Sequence, residues 1–223
     1  MIKYTRPLAF VLLLLVPLFA GAQDWRILSS RGNLEDLEQM ISRLVEQNYV
    51  PVGIDVSQER GLTVLVTRSE LLSTDGWRIY EASSPNEATA EFTDLMRAGY
   101  LLMDVSISDD NVVGLFSLSP GVVAGWRVVD SAPNFFDANA LITRLQTEGF
   151  TAWGVSAAPD RIWHLVLNLT DAERYQTMLV GVPASPEEET VAAITGIVQE
   201  GWVPWGLSVR DEEYLIRVIR PAD

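Results

Sequence analysis

The sequence repeats itself four times, with a period of about fifty residues. Three units open on Trp-Arg followed by Ile or Val, and the fourth has Tyr175 at the equivalent place. The three openings are Trp25-Arg26-Ile27, Trp77-Arg78-Ile79 and Trp126-Arg127-Val128. A unit of this size has too little apolar surface to fold alone, so neighbouring units must share a core. The repeat therefore predicts one compact body rather than independent domains.

After its opening strand, each unit shows the apolar stripe of an amphipathic helix. In the first unit this stripe comprises Leu34, Leu37, Ile41, Leu44 and Val45. Residues of the types found at helix N-caps precede three of the helices, namely Asn33, Asp137 and Ser185. The helices are predicted to end at residues that tolerate the left-handed conformation, namely Asn48, Gly99, Gly149 and Gly201.

Two strands joined by a tight polar turn complete each unit, which predicts a hairpin. The predicted second strands are 52–56, 103–107, 153–157 and 205–209, and the third strands are 62–67, 112–118, 162–169 and 214–219. Each unit thus reads strand, helix, strand, strand, which predicts an α+β fold. The four units, about 23–73, 74–123, 124–172 and 173–223, form a single domain over 23–223. Both a propeller-like ring and two ferredoxin-like pairs satisfy this pattern.

Residues 1–22 resemble a secretory signal peptide. Lys3 and Arg6 give a basic start, an apolar run from Leu8 to Phe19 follows, and Ala20-Gly21-Ala22 supplies the small residues before a cleavage point at Gln23. The apolar run is shorter than the ~20 residues that span a bilayer as a helix. We therefore expect a periplasmic or secreted protein with no membrane span after cleavage, an uncleaved anchor being the alternative.

Charge and cysteine content exclude several classes of partner and site. The chain has no cysteine, which excludes disulfides, thiolate metal sites and a cysteine-linked lipid anchor. Its formal net charge is −14, and loss of Lys3 and Arg6 with the leader makes it more negative still. Such a surface repels nucleic acid and anionic lipid, so we expect no nucleic-acid partner. The expected partner is a protein or an envelope polymer.

A short motif follows the last two helices, and degenerate forms of it follow the first two: Gly and an aromatic residue, then Pro or a small residue, then Gly, an aliphatic residue and Ser. In its fullest form, Gly201-Trp202-Val203-Pro204-Trp205-Gly206-Leu207-Ser208-Val209, it resembles the repeat of bacterial tandem-repeat domains, also found beside the catalytic domain of polyglycine hydrolases. The resemblance implies a propeller-like assembly and a binding or scaffold role. This chain lacks the serine-hydrolase domain, so the resemblance carries over no catalytic residues.

Polar residues on one face of the second strands are the main candidate site. The opposite face of these strands is apolar, whereas this face holds only small or polar residues. If the units surround an axis with this face inward, one pocket collects Asp55, Asp104, Ser106, Ser156 and Ser208. Converging polar groups of this kind are what a ligand site requires. Alternatively, small residues on this face let helices pack closely on the sheet.

Other candidate residues indicate no catalytic or metal centre. His164 is the single histidine and lies in a predicted strand, where a structural role is typical. We therefore predict no metal site and no cofactor. The seven tryptophans recur mostly at equivalent repeat positions, which indicates core packing, although exposed indoles stack on sugar rings.

Three functions remain compatible with the sequence. The leading hypothesis is a non-catalytic exported envelope protein that binds a protein or an envelope polymer through a repeat-built surface. The second is a glycoside-type hydrolase that uses Asp55 and Asp104 as paired carboxylates. The third is a small-ligand carrier that uses the same inward face. Whether the protein is an enzyme stays open at this point, with a non-catalytic role favoured.

Overall fold

The structure, a computed structural model, describes residues 24–31, 34–57, 60–71, 73–108, 111–118, 123–169 and 175–222. The predicted leader, residues 1–22, lies outside these ranges, as does the predicted N-cap Asn33. The described elements form four successive groups of strand, helix, strand and strand.

The first two groups are β1 (Trp25–Ser30), α1 (Leu34–Val45), β2 (Val50–Ser57), β3 (Gly61–Thr67), β4 (Trp77–Ala82), α2 (Pro85–Arg97), β5 (Tyr100–Ile107) and β6 (Val112–Leu118). The last two are β7 (Val123–Ser131), α3 (Phe135–Thr147), β8 (Thr151–Ala158), β9 (Arg161–Leu169), β10 (Tyr175–Pro183), α4 (Glu187–Gln199), β11 (Val203–Arg210) and β12 (Glu213–Pro221). The predicted α+β fold of four repeated units is confirmed.

Each unit forms its own three-stranded sheet, in which the third strand lies in the middle. In the first unit β3 pairs antiparallel with both β1 and β2, and the other three sheets have the same order. The first and second strands are therefore parallel to each other, as a strand–helix–strand connection requires. The second and third strands form the predicted hairpin. A register shift interrupts this pairing near the start of each second strand, for example between Pro51 and Gly53.

The four sheets surround one axis as the blades of a propeller-like ring. The second strands β2, β5, β8 and β11 contact one another in cyclic order, and β11 closes against β2. Of the two predicted arrangements, the structure has the ring and not two pairs. The helices lie further out, and α3 also reaches the next blade, where the Asn139 side chain exchanges hydrogen bonds with the Leu179 backbone.

The ring has two faces, which are formed by different segments of each unit. Every first strand ends where its hairpin turns, so helix starts and hairpin tips share one face, which we call the hairpin face. Helix ends and the starts of the second strands share the other, which we call the corner face. In the described part of the chain, no helix is both long and apolar enough to cross a membrane.

Helix boundaries follow local capping chemistry. The side chain of Ser84 caps α2 by accepting from the Glu87 N–H, and Asn134 caps α3 by accepting from the Asp137 N–H. The prediction of Asp137 as the N-cap is therefore wrong. Asp137 is the residue whose backbone N–H is capped. Ser185 is not a cap either, because Pro186 occupies that position without a side-chain hydrogen bond. The four predicted helix ends all adopt positive φ, with 65° at Asn48 and 83–95° at Gly99, Gly149 and Gly201.

An arginine stacked on an aromatic ring closes the corner that follows each helix. The Trp-Arg opening supplies this arginine in three blades: Arg26 over Tyr49, Arg78 over Tyr100 and Arg127 over Phe150, at 5.6, 5.0 and 4.3 Å from the ring centroids. In the fourth blade Arg220 lies 4.3 Å over Trp202. Such cation–π contacts stabilise exposed sites by about 0.5–1 kcal/mol each. They explain why the opening arginine and the aromatic residue after the helix recur together.

Alanine substitutions at two glycines of the fourth unit test the positive φ at the end of α4. At both Gly201 and Gly196 a methyl group in place of the Cα hydrogen would meet open space, with no packed neighbour within 4 Å, so steric overlap is absent at both. Gly201→Ala should destabilise the protein by about 1 kcal/mol because φ is +83° there, whereas Gly196→Ala within α4 should stabilise it by about 0.5–1 kcal/mol. Chemical denaturation of both variants measures the difference. Equal shifts in the same direction would contradict the assigned backbone conformations.

Candidate functional site: the polar axis

The five polar residues predicted to converge do lie together, on the axis of the ring. They are almost fully enclosed: Asp55 is 4% exposed, Ser106 5%, Ser156 2%, and both Asp104 and Ser208 0%. They occupy two successive layers of the second strands, one containing Asp104 and one containing Asp55 with the three serines. The contacts of their polar atoms determine whether they are free to bind a ligand.

The Asp104 carboxylate accepts one backbone N–H from every blade. Its Oδ2 accepts from Ile54 and Leu207, both at 3.0 Å, and its Oδ1 accepts from Val155 at 2.8 Å and Val105 at 2.9 Å. A carboxylate has about four acceptor positions, so this set fills them. Charge-assisted hydrogen bonds of this kind are about twice as strong as neutral ones. One side chain thus joins all four blades.

Glycine occupies the position of Asp104 in the other three blades, namely Gly53, Gly154 and Gly206. A Cβ at Gly154 would overlap the Asp104 carboxylate, and one at Gly53 would lie 2.7 Å from the backbone nitrogen of Leu207. The axis therefore has room for one side chain in this layer. The glycines allow neighbouring second strands to approach each other, rather than helices to approach the sheet as the packing alternative proposed.

The next layer forms a closed ring of hydrogen bonds in which each side chain accepts from the backbone of the preceding blade. Three donor–acceptor pairs are Val56 N–H to Ser106 Oγ at 3.0 Å, Ile107 N–H to Ser156 Oγ at 2.9 Å and Ala157 N–H to Ser208 Oγ at 3.0 Å. The fourth is Val209 N–H to the Asp55 carboxylate. These residues therefore hold adjacent blades together in pairs, whereas Asp104 holds all four.

Asp55 differs from the serines by carrying a second oxygen. Its Oδ1 accepts from the Ser208 hydroxyl at 2.9 Å, while its Oδ2 has no hydrogen-bond partner among the described residues. Burial raises the pKa of Asp55, and the opposing effects come from the Val209 and Ser208 hydrogen bonds and the charge of Arg60.

A second polar pair, Arg217 and His164, lies buried between the third and fourth blades, and the sequence reasoning missed its contact. Arg217 Nη2 lies 2.7 Å from His164 Nδ1, and both residues are 0% exposed. Arg217 pairs with Gly206 in the register, the place that leucine holds in the other blades (Leu65, Leu115 and Leu165). Alignment of the third strands would have shown this single arginine among leucines.

The hydrogen bonds of His164 fix which ring nitrogen carries the proton. Because Arg217 can only donate, Nδ1 must accept, so Nε2 bears the hydrogen and donates to Ser131 Oγ at 3.0 Å. A histidine that serves as general base for a serine has the opposite arrangement, with Nδ1–H donating to a carboxylate and Nε2 free to accept. The Ser131–His164 contact is therefore not arranged to generate a nucleophile.

Burial sets the charges of this network. It lowers the pKa of His164 to about 3, with the charge of Arg217 acting in the same direction. It lowers the pKa of Arg217 to about 9, which the charge of Asp104 opposes. Burial also raises the pKa of Asp104 well above its usual value, against its four N–H donors. The charge of Asp104 thus favours the charged form of Arg217, whose direct side-chain contact is His164.

Open concave surface lies away from the axis, on the corner face of the first blade and where the fourth blade meets the first. Two adjoining grooves of about 420 and 230 Å³ share Asp24, Arg68 and Ser69. Between them Arg68 stacks 4.6 Å over the Tyr49 ring and donates to the Gln47 carbonyl at 3.1 Å. Within the described ranges, no three His, Asp or Glu side chains are grouped so as to hold a metal ion.

Comparison of the chain with models of known protein families and with curated proteins gives no match.

Replacement of the central carboxylate by its amide tests the role of Asp104. An asparagine supplies one acceptor oxygen and an NH2 donor, so about two of the four N–H groups lose their acceptor and Arg217 loses its counter-charge. Asp104→Asn should lower the free energy of unfolding by about 3 kcal/mol or more. Asp94→Asn, the same change on the exposed face of α2, is the control and should lower the free energy of unfolding by no more than about 0.5 kcal/mol, since it removes only an exposed ion pair with Arg97. Equal stability of both variants in urea would contradict the structural role.

The lowered pKa of His164 predicts a loss of stability in mild acid. Below pH 6.5 the unfolded chain takes up a proton at this histidine while the folded protein, with a pKa of about 3, does not, so unfolding is favoured as the pH falls. His164→Gln keeps an acceptor for Arg217 and does not titrate. Relative to this variant, wild-type stability should fall by about 1.4 kcal/mol per pH unit below pH 6. Parallel stability curves between pH 7 and 5 would rule this out.

Proposed function

We propose that this protein is a non-catalytic exported envelope protein, periplasmic or secreted, that serves as a binding or scaffold module for a protein or an envelope polymer. The observation that carries the proposal is the use of the axis: its converging polar groups bind the blades to one another. All four acceptor positions of Asp104 are taken by backbone N–H groups of the ring. Binding to other molecules is therefore assigned to the outer surface.

The two carboxylates of the hydrolase alternative have little access to a substrate. Asp104 is 0% exposed and Asp55 is 4% exposed, whereas glycoside hydrolysis requires an acid and a base that both face a bound sugar. The tautomer of His164 likewise gives no support to a serine nucleophile. These observations favour a rigid binding module over a hydrolase.

The geometry also disfavours a carrier that encloses its ligand on the axis. Most polar side-chain atoms of the two axial layers are already hydrogen-bonded to the protein itself. The corner-face grooves are open instead, and they present polar side chains such as Asn48, Glu70 and Thr74 around Arg68. Open polar grooves suit a segment of a larger molecule better than a small enclosed ligand.

Export and binding are tested together by recovery of the protein from its native envelope. Mass spectrometry should find a mature chain that begins at Gln23, since cleavage after Ala20-Gly21-Ala22 is expected. Affinity capture from the envelope fraction should then recover the same partner in repeated preparations and with the folded Asp94→Asn variant. A chain retained in the cytoplasm with its first 22 residues, or a capture with no reproducible partner, would contradict the proposal.

A further inference from the structure

Among the described residues, two large apolar side chains are exposed at the hairpin face: Val56, at 40%, and the far more exposed Phe136. Phe136, the second residue of α3, is 83% exposed. The second residues of the other helices are polar, namely Glu35, Asn86 and Glu188. Because helix propensity and capping do not call for phenylalanine here, the repeat framework does not account for it. An exposed aromatic residue of this size is typical of an anchor in a protein interface.

The base of this side chain is held firmly by its neighbours. Phe135 packs into the seam between the third and fourth blades, where Gly181 leaves room for its ring, and the guanidinium of Arg210 lies 5.9 Å over that ring. Arg210 also donates to the Pro133 carbonyl at 3.0 Å, just before the N-cap Asn134. Phe136 is therefore presented at a fixed place, which lowers the entropy lost on binding.

The surface around Phe136 is acidic. Exposed carboxylates at helix starts and hairpin tips of this face are Glu35, Asp36, Glu87, Asp137, Asp160, Glu187, Glu188, Glu189, Asp211 and Glu212. The arginines described at the same face are Arg31, Arg60, Arg161 and Arg210. Three of these arginines already have polar partners within the ring. Arg60 donates a hydrogen bond to Tyr214, while Arg161 and Arg210 form ion pairs with Asp160 and Glu213. Carboxylates are therefore in clear excess.

Part of this acidity has a local explanation and part does not. Carboxylates in the first turn of a helix interact favourably with its dipole, which accounts for residues such as Glu87 and Asp137. At the hairpin tips, Asp160 pairs with Arg161 and Asp211 adopts a φ of 51°, which aspartate tolerates, so only the exposed Glu212 lacks a local reason there. The opposite, corner face has most of the arginines, including the four stacked on aromatic rings. Among the described residues the hairpin face thus has an excess of carboxylates, whereas the corner face has arginines together with exposed carboxylates such as Glu46, Glu70, Asp94, Glu148 and Glu200.

We propose that the hairpin face docks a protein whose surface is rich in lysine and arginine around an apolar pocket that receives Phe136. This inference rests on the proposed function as a binding module and names its partner by chemistry. The acidic face accelerates the encounter and selects a cationic partner, while the buried aromatic ring provides most of the affinity. Anionic membranes and nucleic acids are repelled by the same face.

Site-directed photocrosslinking in cells that make the protein tests this docking. Phe136→p-benzoyl-phenylalanine should give one dominant adduct with a basic protein, and far less adduct should form with the same replacement at Asn86, the matched position of α2. The purified adduct partner should bind wild type, and Phe136→Ser should weaken that binding about tenfold or more without a change in Tm. Raising the salt from 50 to 300 mM should weaken the wild-type complex further.

Several outcomes would overturn the docking of Phe136. A third crosslinking position shows whether the failure concerns the hairpin face alone or the proposed binding function as well. An adduct of Phe136 with a second copy of this chain, with lipid or with an acidic protein would overturn this docking, as would unchanged affinity of Phe136→Ser or no adduct at all. If the replacement at Glu70, in the corner-face groove, alone yields a partner, the protein is a binding module but the hairpin face is not its docking surface. If no position yields an adduct, both proposals fail.

Discussion

The carboxylate of Asp104 receives a backbone N–H from each of the four blades, and the ring is organised around that contact. Closing a ring of repeats requires the last blade to meet the first without a covalent link between them. A central acceptor solves this problem, because Leu207 of the last blade and Ile54 of the first bond to the same oxygen. It also imposes a limit, since only one blade can supply the side chain and the others must have glycine.

That limit explains why the four units are alike in framework but unequal at the axis. The charge of the enclosed Asp104 favours a charged Arg217, which the fourth blade has in place of leucine. Arg217 in turn needs an acceptor, which the third blade supplies as His164. The third and fourth blades thus depart from the repeat where His164 and Arg217 meet. Removing one residue of such a buried polar set destabilises a protein more than replacing the whole set with apolar residues, because the remaining polar groups lose their partners.

The sequence predicted the framework well because the framework rests on local signals. Periodicity identified all four helices and the hairpins, and glycine or asparagine marked each helix end at the residue where φ is positive. N-caps were less predictable: Asn134 and Asp137 are both good capping residues three positions apart, and only the backbone path decides between them. Similarly, Pro186 takes the cap position that Ser185 was expected to hold.

The site was predictable in its location but not in its chemistry. Alternation along the second strands placed Asp55, Asp104 and the serines on one face, and the ring brings them together. Their partners could not be predicted, because backbone N–H groups from other blades leave no pattern in the sequence. Arg217 did leave one, as an arginine aligned with three leucines, but its meaning depends on the contact with His164, which only the folded ring supplies. Phe136 likewise stands out only once its exposure is known.

Hydrogen exchange at four amides tests the central role of Asp104 most directly. If one carboxylate holds the four blades, the N–H groups of Ile54, Val105, Val155 and Leu207 should exchange only when the whole ring opens. NMR-detected exchange should then give the same protection free energy at all four, equal to that of global unfolding in denaturant. Faster exchange at one of them, with the other blades still protected, would show that the blades open independently and would contradict this account.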